Sequence, residues 1–277
     1  MRVSKTIILG AALAVACGAA QAGPQQDLKA FQKHFMDSFP GVAFDEFGNG
    51  IYGINKERRA EWEQMEEFPD YELSIDKGKE RFNKPFADGK GYADCFPNYK
   101  QGIKQNYPYF DKARGQVMTL EWAINLCRKK HGEKPLKYAK TPIAQISAYL
   151  AYLSRGKKIH VVIPDDPRAL KAYNEGKRFF YSKRGQLNFS CANCHIQGAG
   201  KLVRANILSP ALGQVSHFPV YRKKWGGVGT LHRRYKGCNK QVRAKPFKPQ
   251  GRVYRNLEYF HTYMSNGIAL NGPGERQ

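Results

Sequence analysis

Ser190-Cys191-Ala192-Asn193-Cys194-His195 decides how this chain is read. It contains C-x-x-C-H, the attachment signature of a c-type haem. Two thiols at this spacing add across the two vinyl groups of a porphyrin, and the adjacent imidazole reaches the iron from one face. The competing readings are a redox C-x-x-C or half of a zinc site. Zinc wants a second ligand pair at metal spacing, and the sequence offers none. The motif predicts one covalently bound haem c, attached through Cys191 and Cys194, with His195 as axial ligand.

Outward from the motif, the chain repeats itself. Gly176-Lys177-Arg178-Phe179-Phe180 resembles Gly78-Lys79-Glu80-Arg81-Phe82. Cys191 to His195 falls against Tyr92-Ala93-Asp94-Cys95-Phe96. Gly213-Gln214-Val215 reads like Gly115-Gln116-Val117, and Cys238 falls against Cys127. Asp166 and Pro167 open a helix that runs toward Cys191, and Thr141 and Pro142 open another. Ile143, Ile146, Leu150 and Leu153 form one apolar stripe before Gly156. Val253, Leu257, Phe260 and Met264 do the same before Gly267. The order of these matches favours a duplicated domain.

The expected fold is mainly α, with two tandem cytochrome c-like domains related by internal duplication, the first lacking haem. The expected divisions are a signal peptide at 1–22, an N-terminal extension at 23–76, a degenerate haem-free domain at 77–158 and a haem-binding domain at 159–277. The segment from Gly156 to Pro167 reads as the linker.

Arg2 and Lys5, the apolar run from Ile7 to Ala16 and the Ala20-Gln21-Ala22 cleavage site read as an export signal. The rival is a lipid anchor at Cys17. No later stretch is apolar enough for a membrane span. The mature chain is therefore expected in the periplasm, where disulfides form. The formal charge of +23 over 277 residues suggests anionic partners or substrates. The export signal and the lack of any nucleic-acid module argue against nucleic acid.

In the first half, Tyr92 replaces the first motif Cys and Phe96 the His, so haem attachment is lost. Cys95 and Cys127 remain, either as a disulfide or as two free buried thiols. In the second half the candidates opposite His195 are His217, His232, Cys238, His261 and Met264. Met264 lies on an apolar stripe and reads as core. His217 and His232 lie in what read as basic, Gly-containing loops and read as surface residues. Cys238 is the leftover thiol, within Arg233-Arg234-Tyr235-Lys236-Gly237-Cys238-Asn239-Lys240. Its neighbours favour thiolate, which is both a haem ligand and a nucleophile. The plain alternative is an inert Cys in a basic surface loop.

The two halves, the single C-x-x-C-H and the Arg-Arg-Tyr-x-Gly-Cys-Asn segment resemble the A-subunit family of the SoxAX cytochromes of bacterial sulfur oxidation. Tyr92 and Phe96 place the chain with the single-haem form. The resemblance implies an L-cysteine S-thiosulfotransferase that joins thiosulfate to a cysteine of the SoxYZ carrier and removes two electrons. It implies His195 and Cys238 as axial ligands, Cys238 as the active-site sulfur, often a persulfide, and Arg234 as the substrate-binding cation. Arg233 is adjacent and is a candidate for the same role. It also implies a small c-type cytochrome partner, the SoxX type, because one haem takes one electron, and a downstream electron-acceptor cytochrome. The aromatics between Gly23 and Asp76 are a candidate part of that partner interface. The alternatives are a plain electron-transfer cytochrome and a haem-based sensor.

Overall fold

The structure is a computed structural model describing residues 23–276 apart from Lys140 and Arg204. The expected signal residues 1–22, Cys17 among them, lie outside the described residues. The chain enters through α1 (Pro24–Ser38), a 3-10 turn (Phe44–Asn49), α2 (Ile51–Ile54) and α3 (Lys56–Glu66). There follow α4 (Glu72–Asn83), α5 (Tyr92–Cys95), the antiparallel pair β1 (Tyr109–Asp111) and β2 (Gln116–Met118), α6 (Leu120–Lys130) and α7 (Thr141–Tyr152).

The same order then returns. It comprises α8 (Pro167–Tyr181), α9 (Cys191–His195), a hairpin of β3 (Leu202–Val203) and β4 (Asn206–Ile207), then β5 (Val220–Arg222), β6 (Gly227–Gly229), α10 (Leu231–Gln241) and α11 (Arg252–Tyr263). A last strand, β7 (Gly274–Glu275), pairs parallel to β5. The chain is mainly helical, and among the described residues no helix is long and apolar enough to cross a membrane.

Each half is organised by one helix crossing. A Cβ on Gly78 of α4 would lie 2.1 Å from the Gln145 carbonyl oxygen of α7. A Cβ on Gly176 of α8 would lie 2.0 Å from the Asn256 carbonyl oxygen of α11. Only glycine lets two backbones approach this closely, which gives the repeated Gly-Lys its physical meaning. The helix ends follow local chemistry. Asp166 accepts from the Arg168 N–H at 2.8 Å as the N-cap of α8, with Pro167 in the first turn. Gly156 (φ +77°) and Gly267 (φ +89°) turn the chain after α7 and α11 in the left-handed region.

From the hairpins onward the halves keep one constant offset in numbering. Leu120 opens α6 as Leu231 opens α10, and Cys127 stands where Cys238 stands. Gly115 (φ +62°) turns β1 into β2, and Gly226 (φ +59°) precedes β6. The counterpart of Gly115 is therefore Gly226, which corrects the match to Gly213. The second half carries extra chain after the haem motif, including β3 and β4, and this shifts the register.

The halves trade hairpins. Phe110 of β1 and Val117 of β2 are buried in the core built around α8 and α11. Val228 of β6 is buried in the core around α4 and α7. The segment read as a linker is part of this core. Ile159 and Val161 are buried, and Ile159 exchanges backbone hydrogen bonds of 2.9 Å with Ile268 and Gly267. The N-terminal region is also structural. Phe31 and Phe35 of α1, with Phe47, pack into the haem half, while Tyr71 and Ile75 pack into the other.

Candidate haem and active site

The site assembles at the short helix α9. Ser190 caps it, accepting from the Asn193 N–H at 3.1 Å, while the Asn193 side chain accepts from the Ser190 N–H at 2.9 Å. This reciprocal cap fixes a turn too short to hold itself, and so fixes Cys191 and Cys194 relative to His195. Both cysteine side chains are half-buried and outside any disulfide. Burial, with the nearby Cys238 and Cys194 against the opposing charge of Arg184, pushes the Cys191 thiol up to about 12.

His195 is oriented from behind. Its Nδ1 donates to the Ser209 carbonyl oxygen at 2.9 Å, which leaves the Nε2 lone pair for a ligand. Gln214 donates to the Ser209 hydroxyl at 2.8 Å and supports the same loop. The Cys238 sulfur lies within hydrogen-bonding reach of His195. Burial pushes the Cys238 thiol up, but Arg234, the contact with His195 and Arg222 together outweigh it and bring the group down to about 7. Two thiols suit the two vinyl groups of a haem. An imidazole nitrogen with a sulfur nearby suits its iron. The donor set fits haem c.

Cations collect around the sulfur. Arg234 and Cys238 lie one turn apart on one face of α10. Arg222 ends β5, and Lys224 lies in the 3-10 turn Lys223–Trp225 that follows. Burial and the charge of Arg234 lower Arg222 to about 10, and the charge of Arg222 lowers Lys224. Both also feel Cys238. Like charges held together favour an anion among them. Arg233 goes elsewhere. Its guanidinium stacks 4.5 Å from the Trp225 ring, and burial alone lowers it. Arg234 with adjacent Arg233 as a candidate for the same role is the expectation from the sequence; the structure stacks Arg233 on Trp225 and sets Arg234 one turn from Cys238. It adds Arg222 and Lys224, which lie too far from Cys238 in sequence to be read with it.

The other candidate ligands are placed elsewhere. His217 and His232 are buried, which corrects the reading of both as surface residues. His232 points from α10 to α11, with its Nε2 2.9 Å from the Glu258 carboxylate. Its neighbours Arg233 and Arg234 are on other faces of the helix, so a basic sequence hides a buried side chain. His217 donates through Nδ1 to the Gly48 carbonyl at 3.3 Å. His261 lies between the Tyr235 hydroxyl at 3.0 Å and the Ala211 carbonyl at 3.2 Å. Met264 is core, with 1% of its surface exposed.

In the first half the equivalent space is filled. Tyr92 stacks on Phe82 with centroids 5.5 Å apart and meets Phe86 edge-on at 4.8 Å. The Tyr92 hydroxyl accepts from Arg128 at 3.0 Å, and Phe96 is buried beside them. Cys95 and Cys127 are disulfide-bonded, joining α5 to α6.

Fold and donor set together define a c-type cytochrome with a sulfur-bearing cationic site. A curated relative from Allochromatium vinosum, "L-cysteine S-thiosulfotransferase subunit SoxA", is 55% identical over 273 residues, 98% of this chain and 97% of its own. The chain belongs to the SoxA family and carries covalently bound haem c. A relative of the same name from Chlorobaculum tepidum is 53% identical over 257 residues, 93% of this chain and 89% of its own. The family model "SoxA/TsdA, cytochrome c domain" matches residues 77–159, the haem-free half. The crystal structure of SoxXA from P. pantotrophus superposes with a TM-score of 0.69 at 29% identity, covering 75% of this chain and 78% of that one.

Proposed function

We propose that this chain is the catalytic cytochrome subunit of an L-cysteine S-thiosulfotransferase, acting in the periplasm on thiosulfate and a cysteine of a SoxYZ-type carrier. The observation that carries this reading is a half-buried sulfur, Cys238, between His195 and the cations Arg222, Lys224 and Arg234. Relatives at more than half identity bear the name of that activity. The reading assigns Cys191 and Cys194 to thioether attachment, His195 and Cys238 to the iron, and Cys95–Cys127 to a structural staple. It also treats residues 77–158 and 159–277 as tandem cytochrome c-like domains descended from one, as the repeated glycine crossings support.

The reaction balances as follows. A carrier thiol and the thiosulfate dianion give a carrier S–S–SO₃ monoanion, one proton and two electrons. Arg234 and Arg222 hold the two negative charges, for which guanidinium forks are suited. Cys238 presents its sulfur next to that anion. Haem c bound at Cys191 and Cys194 supplies a one-electron acceptor. A second acceptor is required, and a SoxX-type small cytochrome fills that role, in line with the SoxXA complex of P. pantotrophus. From there the electrons pass to a downstream acceptor cytochrome.

Substitution separates this reading from a plain electron-transfer cytochrome. Cys238→Ala is expected to keep the haem attached, shift its low-spin spectrum and abolish conjugation of thiosulfate to the carrier. Arg234→Ala is expected to leave the spectrum nearly unchanged and weaken thiosulfate use about 10- to 100-fold, the worth of one charge-assisted contact. A Cys238→Ala protein with native spectrum and native activity would leave only electron transfer.

A further inference from the structure

The haem-free half holds a second cluster of metal-binding donor types, away from Cys238. Cys95, Cys127 and His131 each place one donor atom within 4.8 Å of the others. His131 follows the end of α6, one turn beyond Cys127. Its ring stacks on Phe86 at 5.4 Å, and its side chain is 9% exposed. Nδ1 lies 2.7 Å from the Asp88 carboxylate. Nε2 is buried and has no hydrogen-bond partner among the described residues. A buried ring nitrogen without a partner is costly. A carboxylate on one nitrogen is also the arrangement that fixes the tautomer and aims the other nitrogen at a metal.

We propose that opening the Cys95–Cys127 disulfide converts this cluster into a site for a thiophilic d¹⁰ cation, zinc or cuprous copper, held by two thiolates and His131 Nε2. The opening step consumes a dithiol reductant. Two electrons and two protons pass to the cystine, and the reductant closes to its own disulfide. Cation binding then displaces the two thiol protons. Two thiolates and an imidazole suit these metals. A surface cleft of about 530 Å³ reaches both cysteines, with Asp94, Asp111, Arg114, Lys129 and Lys130 also on its walls. It leaves room for a fourth ligand. Cys127 and Cys238 hold equivalent places on α6 and α10, so each half keeps a sulfur donor at the same point of the fold. The inference stands apart from the thiosulfate reading.

The test uses the full haem-loaded chain. One sample is treated with a phosphine reductant, freed of it without air, equilibrated with zinc chloride and desalted, alongside an unreduced sample. The expected result is about one extra zinc per chain in the reduced sample, the complement of a closed site. Zinc should also protect Cys95 and Cys127 from alkylation, as read by peptide mass. His131→Ala leaves the disulfide able to form and is expected to weaken zinc binding at least about tenfold. Equal zinc in both samples, alkylation of the two cysteines indifferent to zinc, or undiminished binding by His131→Ala would each overturn the proposal.

Discussion

Tyr92 and Cys191 hold the same place in the two halves, and the contrast shows how few side chains separate a haem site from a filled core. In the second half that place carries a thiol beside His195. In the first, Tyr92 stacks on Phe82 and its hydroxyl accepts from Arg128. Aromatic rings there bury large areas and leave no space for a porphyrin. A pyridine haemochrome assay is therefore expected to give one haem per chain, and Cys191→Ala to leave a haem held by one thioether at most. Around Cys238 the deciding residue is one the sequence hid. The charge of Arg222 acts on the sulfur from β5, whereas that of Arg234 acts from the same helix. Arg222→Gln keeps a polar, unbranched but shorter side chain and loses the charge. It is expected to raise the KM for thiosulfate about tenfold with the spectrum unchanged, as loss of one charge-assisted contact implies. A KM within twofold of the parent would remove Arg222 from the substrate site. Arg234 was legible because it lies in the same Arg-Arg-Tyr-x-Gly-Cys-Asn segment as Cys238, the segment that carries the family resemblance. Arg222 was not, because only the pairing of β5 with β6 and β7 brings it in.

At the scale of elements, α7, α8 and α11 are legible in the sequence, whereas α10, which reads as a basic loop, and the hairpins are not. Thr141-Pro142 and Asp166-Pro167 start helices by local chemistry that any reader of the sequence can use. The strands β1, β2, β5 and β6 are three residues each. Three residues carry too little alternation to read, and Phe110, Val117 and Val228 pack on the opposite half, so no local pattern points to them. That is also why Gly115 was matched to Gly213 rather than Gly226. The glycines of the crossings carry the sharpest prediction at this scale. Gly176→Ala would place a Cβ 2.0 Å from the Asn256 carbonyl oxygen, so α8 and α11 must separate. Overpacking of this kind costs about 1–3 kcal/mol, and more when backbone must move. Urea unfolding should show a midpoint lowered by that free energy divided by the m value, with a displaced haem spectrum because α8 leads into α9. An unchanged midpoint would show that the crossing relaxes freely.

Across the whole molecule, the traded hairpins bind the halves into one unit. Phe110 belongs by sequence to the haem-free half, yet it is buried among α8, α11 and α1 residues of the haem half. Val228 makes the reverse crossing. Neither core is complete without a strand from the other, and the segment from Gly156 to Pro167 is pinned by hydrogen bonds rather than free to act as a hinge. Phe110→Ala tests this arrangement. The substitution removes a ring with 6% exposure, and the loss of burial plus the cavity left behind costs about 3–5 kcal/mol. If each half were an independent domain, that cost would fall on the half that owns the residue in sequence, and the haem signal would be spared. The packing places it instead against α8 and α11, whose crossing supports the haem motif. Guanidinium unfolding followed by Soret absorbance and by far-UV circular dichroism should therefore give coincident transitions in the parent protein. Both should move to lower denaturant together in Phe110→Ala. Separate transitions, with the Soret midpoint unmoved, would mean that the two cores stand alone and that the exchanged strands contribute nothing to the coupling.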